Sequence, residues 1–247
     1  MDHLDIDHLV IVTGGSQGLG HALLATAPGT AHRVTVSRRP AADVAPGHLE
    51  ADLTDPASWA RVGDVIDAVA TEREWARITF IQAAGTLDPI GFAGEVDPWR
   101  YQANVLLNSA APQVLGHRFL AAVSHLRCRR DLVVISSGAA VTDYPGWSAY
   151  CAAKAGLDRW VGTVGAEQDE RGGVRVLGIR PGVVATGMQD RIRATDPRDF
   201  PPVEQFRDLH ADGKLSQPLE AAEHLWELID DARVTSGSVV DVREHRG

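Results

Sequence analysis

The chain has 247 residues, a formal charge of −9 from 24 basic and 33 acidic side chains, and 44% hydrophobic residues. That length suits a single domain over residues 1–247 with a substantial core. No run approaches the ~20 apolar residues of a membrane span, and Cys128 and Cys151 are too few for a disulfide framework or a cysteine-built zinc site. An acidic chain without a basic stripe does not suit a nucleic-acid backbone. The opening MDHLDIDHLV lacks the apolar core of a leader. The expectation is a cytoplasmic protein with a small-molecule ligand and neither a nucleic-acid nor a membrane partner. One bias needs a reason: of the basic residues only Lys154 and Lys214 are lysine, and the rest are arginine.

The first predicted strand, Leu9–Thr13, runs straight into TGGSQGLG at 13–20, and a helix is predicted over Gly18–Ala27. In such a turn Gly14, Gly18 and Gly20 permit a tight bend, close backbone approach to a pyrophosphate and close packing of the helix. The helix amino terminus then offers free N–H groups to the anion. An ordinary glycine loop is the alternative. The second strand, Arg33–Ser37, ends in Ser37-Arg38-Arg39, where an acidic residue would instead mark NAD. A guanidinium beside a hydroxyl fits a ribose 2′-phosphate, so NADP(H) is predicted; two exposed loop arginines are the competing explanation.

Residues 40–47, PAADVAPG, are too short and Pro-rich for a helix before the third strand, His48–Asp52. Asp52 with Leu53 is placed to meet an adenine ring or to cap the following turn. Helices over Asp55–Thr71 and Trp99–Ala122 flank a fourth strand, Ile78–Gln82. Asn104 falls inside the second of these helices, where its amide either serves a local kink and a water or is simply exposed. Arg127, Arg129 and Arg130 read as a solvated helix end. The fifth strand, Leu132–Ser136, is followed by Ser137, a turn former or a hydrogen-bonding partner for a substrate carbonyl. A helix over Ala149–Arg171, strands Val174–Ile179 and Ser238–Val242, and a helix over Pro218–Asp231 complete the pattern. Strand–helix alternation with near-continuous apolar strands predicts an α/β, Rossmann-type doubly wound parallel sheet of about seven strands with helices on both faces. The stretch from about 185 to 217 is too long for a connector and reads as a substrate lid.

Tyr150 and Lys154 lie four apart in a helix and so share a face. An ammonium near a phenol stabilises the phenolate and is expected to lower its pKa from about 10. A surface pair would be served equally well by the arginine this chain otherwise prefers. Cys151 points to another side of the helix and reads as packing, and ten scattered histidines without ligand spacing predict no catalytic metal.

TGGSQGLG at 13–20, AAG at 83–85, Asn104, Ser137, YCAAK at 150–154 and RPGVVAT at 180–186 together resemble the short-chain dehydrogenase/reductase family, in order and over essentially the whole chain. GWSAYCAAKAG (146–156), PGVVATGMQDRIR (181–193) and DGKLSQP (212–218) resemble its sepiapterin-reductase-like branch, bacterial benzil reductases in particular. The resemblance implies an NADPH-dependent carbonyl reductase in which Tyr150 protonates the carbonyl oxygen. Lys154 would bind the nicotinamide ribose and lower the Tyr pKa, Ser137 would orient the substrate, and Asn104 would hold a proton-relaying water. It sets Ser16, Gln17 and Leu19 beside the glycines, and Ala84, Gly85, Pro181, Gly182, Val183 and Thr186 against the cofactor. It also implies a dimer or tetramer. The family's usual Asn after the fourth strand is Gln82 here.

The implied substrate is a ketone, either an aryl 1,2-diketone such as benzil or a pterin. Trp147, Met188 and Asp241 are the candidates to touch it; Phe200 and Phe206 either join them or anchor the lid. A non-catalytic NADP(H)-binding protein is the remaining class, and it would be marked by loss of Tyr, Lys or Ser.

Overall fold

The computed structural model describes residues 7–29, 31–41 and 43–244, so the reading of the opening MDHLDIDHLV falls mostly outside the described residues. In chain order the elements are β1 (His8–Thr13), α1 (Gly18–Ala25), β2 (His32–Ser37), β3 (Gly47–Glu50), α2 (Ala57–Thr71), β4 (Arg77–Gln82) and α3 (Pro98–Val105). A π-turn, Leu106–Ala110, leads into α4 (Ala111–Val123), β5 (Arg129–Ile135) and α5 (Ser148–Asp169). Then come β6 (Arg175–Arg180), α6 (Gly187–Arg193), α7 (Val203–Ala211), α8 (Pro218–Asp230) and β7 (Val239–Asp241).

The strands form one parallel sheet in the order β3-β2-β1-β4-β5-β6-β7. Side chains alternate across it, as period-two geometry requires. Leu9 and Ile11 pack with α2, α4 and α5, whereas Val10 and Val12 pack with α1 and α8. Burial on both faces is why the strands read as unbroken apolar runs. Phe80 and Phe119, with ring centroids 5.3 Å apart, centre the first layer, and each such side chain contributes about 1.5–3 kcal/mol by leaving water. Strand order reverses between β1 and β4, which opens the crevice of a doubly wound sheet at the ends of these two strands.

The structure departs from expectation in four places. The helix expected over Trp99–Ala122 is broken by the π-turn. The stretch at 185–217 holds two short helices, α6 and α7, whose apolar residues Ile192, Val203 and Phe206 turn inward. β3 ends at Glu50, so Asp52 lies beyond the strand. Arg129 and Arg130 open β5 instead of ending a solvated helix. With Arg77 and Arg175, Arg129 surrounds the carboxylate of Asp131, which is 0% exposed, at Nε–O distances of 2.9–3.1 Å. Arg129 and Arg175 also donate to the Ile229 carbonyl at the end of α8, where cations oppose the helix dipole. The network clasps α8 to the amino ends of the strands.

Candidate active site

The glycine turn sits at the reversal point and is built for close approach. Gly14 has φ +77°, and a Cβ there would stand 2.8 Å from the Cα of Ala84; a Cβ on Gly20 would stand 2.5 Å from the Gly14 carbonyl oxygen. Thr13 fastens the two strand ends together, its Oγ1 accepting from the Ala84 amide at 3.2 Å. Gln17 is the N-cap of α1 and makes no side-chain cap bond, so it does not occupy the amides of the first turn. Ser16 and Leu19 complete the turn, half-buried.

At the end of β2 the hydroxyl of Ser37 donates to the Arg39 carbonyl at 2.6 Å. Arg39 in turn donates to Gln17 Oε1 at 2.9 Å. Arg38 is exposed and has no hydrogen bond or ion pair among the described residues. Asp52 caps the following turn, accepting from the amide and hydroxyl of Thr54 at 2.9 and 2.8 Å, while the Leu53 side chain is buried in the core. Across the crevice, Thr186 faces the turn: a Cβ on Gly18 would lie 3.4 Å from its Cγ2. Pro181, Gly182 and Val183 follow β6, with Gly182 at φ +73°. Val183 and Ala185 hydrogen-bond the backbone of Ser216 at 3.0 and 2.9 Å, which gives the DGKLSQP stretch its structural role. A glycine cradle at the start of a helix and an exposed arginine after β2 fit a nicotinamide dinucleotide.

α5 carries Tyr150 and Lys154, 7% and 5% exposed. The Lys154 ammonium donates to the Ile135 carbonyl at 2.8 Å and stands 5.7 Å from the Tyr150 ring centroid. Burial pushes the phenol up to about 12, and the Ser137 hydrogen bond pulls it the other way. The lowering expected from the Tyr–Lys spacing is therefore absent in this arrangement, because the ammonium is turned to a carbonyl and the phenol is desolvated. Burial also pushes the ammonium down to about 8, opposed by Asp158. At neutral pH the pair is a protonated phenol beside a charged ammonium. Ser137 also caps a short turn, accepting from the Ala139 amide at 3.2 Å.

Asn104 is buried, and its amide is committed to the chain: Nδ2 donates to the carbonyls of Thr86 and Asp88 at 3.2 and 2.9 Å, and Oδ1 accepts from Asn108 at 2.8 Å. Asn108 lies in the π-turn, accepts from the Thr86 amide at 3.0 Å, and is met by Gly85, where a Cβ would stand 3.0 Å from its Oδ1. Sequence reasoning missed Asn108, although a second Asn four residues after the first was its signal. Gln82 donates to the Pro112 carbonyl at 2.9 Å and ties β4 to α4.

Above Tyr150 lies an aromatic cluster. Trp147, 5% exposed, stacks on Phe200 with centroids 4.4 Å apart. Phe206 packs against both, so Phe200 and Phe206 anchor their segment. Met188 is half-buried at the edge of the same cluster, and Tyr144, which the sequence reading overlooked, lies 4.9 Å from Trp147. Asp88 joins this segment to α3, since its carboxylate accepts from both Arg100 and Arg191. Asp241 ends β7 with a buried carboxylate taken up by Arg243 at 2.8 and 2.6 Å.

Order, spacing and geometry define the class. The short chain dehydrogenase model matches residues 8–197, and the chain belongs to the short-chain dehydrogenase/reductase family. It is an oxidoreductase of the alcohol/carbonyl type, in a family that binds nicotinamide cofactors. Benzil reductase ((S)-benzoin forming) of Bacillus subtilis (strain 168) is 35% identical over 240 residues, covering 96% of this chain and 98% of that enzyme. Sepiapterin reductase of Bos taurus is 29% identical over 168 residues, 67% of this chain and 61% of that one. A short chain dehydrogenase from Shigella flexneri 2a, crystallised with NADP, has the same fold, with a TM-score of 0.76, 21% identity and coverage of 98% and 100% of the two chains. No helix among the described residues is long and apolar enough to cross a membrane.

Proposed function

We propose that the protein is an NADPH-dependent ketone reductase whose preferred substrate class is an aryl 1,2-diketone such as benzil. The observation that carries this reading is Tyr150, a buried phenol hydrogen-bonded by Ser137 one helical turn from a charged Lys154. NADPH, when bound, supplies the hydride to the carbonyl carbon. Ser137 orients the carbonyl oxygen, and Tyr150 gives that oxygen its proton. The Lys154 ammonium, 5.7 Å from the Tyr150 ring centroid, is the counter-charge for the resulting phenolate. Asn104 supports the π-turn instead of holding the water itself. The widened turn withdraws backbone carbonyls from the regular helical ladder, and we assign the proton-relaying water to the turn around Asn108.

Arg38 and Ser37 would hold the 2′-phosphate, while the glycine turn and the start of α1 would hold the pyrophosphate. The segment from 185 to 217 acts as a lid, with Met188 and Tyr144 facing the substrate and Trp147 serving as its buried hinge plate. A pterin is the weaker substrate: its ring amines need a free carboxylate, and Asp241 already pairs with Arg243.

Loss of NADPH absorbance with benzil, isatin and sepiapterin tests the reading. Benzil turnover exceeding sepiapterin turnover is expected, and Tyr150→Phe should lower kcat about 10²–10⁴-fold with cofactor affinity unchanged. A Tyr150→Phe variant with near-normal turnover would remove Tyr150 as the acid.

A further inference from the structure

Asp158 follows Lys154 by one helical turn and Tyr150 by two, so the three share one face of α5. That face meets three consecutive residues at the end of β5. Ile135 accepts from Lys154, Ser136 donates to Asp158, and Ser137 hydrogen-bonds Tyr150. The Asp158 carboxylate takes a second donor, Arg180 Nη2, at 2.7 Å. The pair is largely withdrawn from water, with side chains 14% and 18% exposed. Arg180 is the last residue of β6, immediately before Pro181–Val183. None of the chemistry above uses this carboxylate.

We propose that Asp158 is a positioning residue of the reduction: pinned by Ser136 and Arg180, it fixes the turn of α5 that carries Lys154 and locks α5 to the strand that leads into Pro181–Val183. This rests on the roles given above to Tyr150 and Lys154. Asp158 touches neither substrate nor cofactor and acts through Lys154. The charged and titratable groups around the ammonium are Tyr150 and Asp158, each one helical turn away on α5, and Arg180 of β6, which is bonded to Asp158; β5 supplies the uncharged Ile135 carbonyl that the ammonium donates to. Burial drives the ammonium toward its neutral form, and Asp158 opposes that. Arg180 offsets part of the Asp158 charge, so the two partners should tune Lys154 in opposite directions.

The test is kcat for benzil reduction from neutral to alkaline pH, with wild type, Asp158→Asn, Asp158→Glu, Arg180→Gln and Tyr150→Phe. Asp158→Asn should move the alkaline fall in kcat down by about one pH unit while KM for NADPH stays within about two-fold of wild type. Asp158→Glu should restore the wild-type profile, and Arg180→Gln should move the fall upward. A carboxylate that serves only as a staple would lower Tm and leave the profile where it was. Unmoved profiles, or shifts of both partners in one direction, would overturn the proposal. Should Asp158→Asn not fold, the sign of the Arg180→Gln shift decides. Full turnover by Tyr150→Phe would instead remove the assignment beneath it, whatever the Asp158 variants do.

Discussion

Lys154 reaches from the middle of α5 to the carbonyl of Ile135 at 2.8 Å, so the charge that serves Tyr150 is anchored at the end of a strand. A buried ammonium loses its proton more readily than a solvated one, and burial brings Lys154 down to about 8. The sign for catalysis follows. Below about pH 8 the ammonium is charged and the phenol protonated; above it the counter-charge for the phenolate is lost. Reduction should therefore be level through neutral pH and fall about tenfold per unit above roughly pH 8. Lys154→Arg should not rescue activity, because a planar fork cannot replace a compact ammonium in that buried space. A rate that stays level to pH 10, or an active Lys154→Arg enzyme, would contradict this account.

Cofactor preference should follow Arg38. Its neighbour Arg39 is already engaged with Gln17, which leaves Arg38 as the cation for a 2′-phosphate. A hydrogen bond to a charged group is worth about 1.5–3 kcal/mol, so Arg38→Glu should lower kcat/KM for NADPH roughly 10- to 100-fold and leave NADH use unchanged or better. Steady-state kinetics with both cofactors decide it. A variant that still prefers NADPH would return the choice to other residues.

Most of the fold and the centre of the site could be read in the sequence, because their signals are local. β1 announces itself by burial on both faces, the glycine turn by its place after that strand, and Tyr150 with Lys154 by a spacing that only a helix turns into a neighbourhood. What stayed hidden depends on partners brought from afar. Trp147 looked like a substrate contact until Phe200, more than fifty residues on, stacked against it. α6 and α7 were obscured by the proline- and aspartate-rich stretch between them, which masks two short apolar faces. Asp158 was within reach of the helical-face rule that found Lys154, but its value comes from Ser136 and Arg180 on two strands. Lys214 proves to be a surface residue paired with Asp212 at 2.8 Å; Ser216 gives its neighbourhood structural weight.

Asp131 should matter to stability and hardly at all to chemistry. It is the shared acceptor of Arg77, Arg129 and Arg175 at the amino ends of the strands, the opposite end of the sheet from Tyr150. Asp131→Asn places an amide donor among guanidinium donors. Breaking one side of a buried ionic network costs about 3–5 kcal/mol, which in a chain of this size lowers Tm by roughly 10 °C. Turnover at low temperature should remain near wild type. A Tm within two or three degrees of wild type would mean that the Asp230 carboxylate and the carbonyl of Ile229 satisfy these arginines without it.

His8 makes acid stability a specific expectation. It is buried, hydrogen-bonded to Thr79 Oγ1 at 2.9 Å and set edge-on to Trp226. Burial first, and then the charge of Arg77, lowers its pKa from 6.5 to about 3. Between those values the unfolded chain binds a proton that the folded chain refuses. Stability from this group is therefore complete above about pH 6.5 and is lost as pH falls toward 3, at close to 1.4 kcal/mol per pH unit. Other groups also titrate there, so the informative quantity is the difference from His8→Gln, which cannot take up the proton. Urea unfolding between pH 6.5 and 4 should show wild-type stability falling more steeply than that of the variant by about 1 kcal/mol per unit. Parallel slopes would show that the His8 ring is protonated in the folded protein.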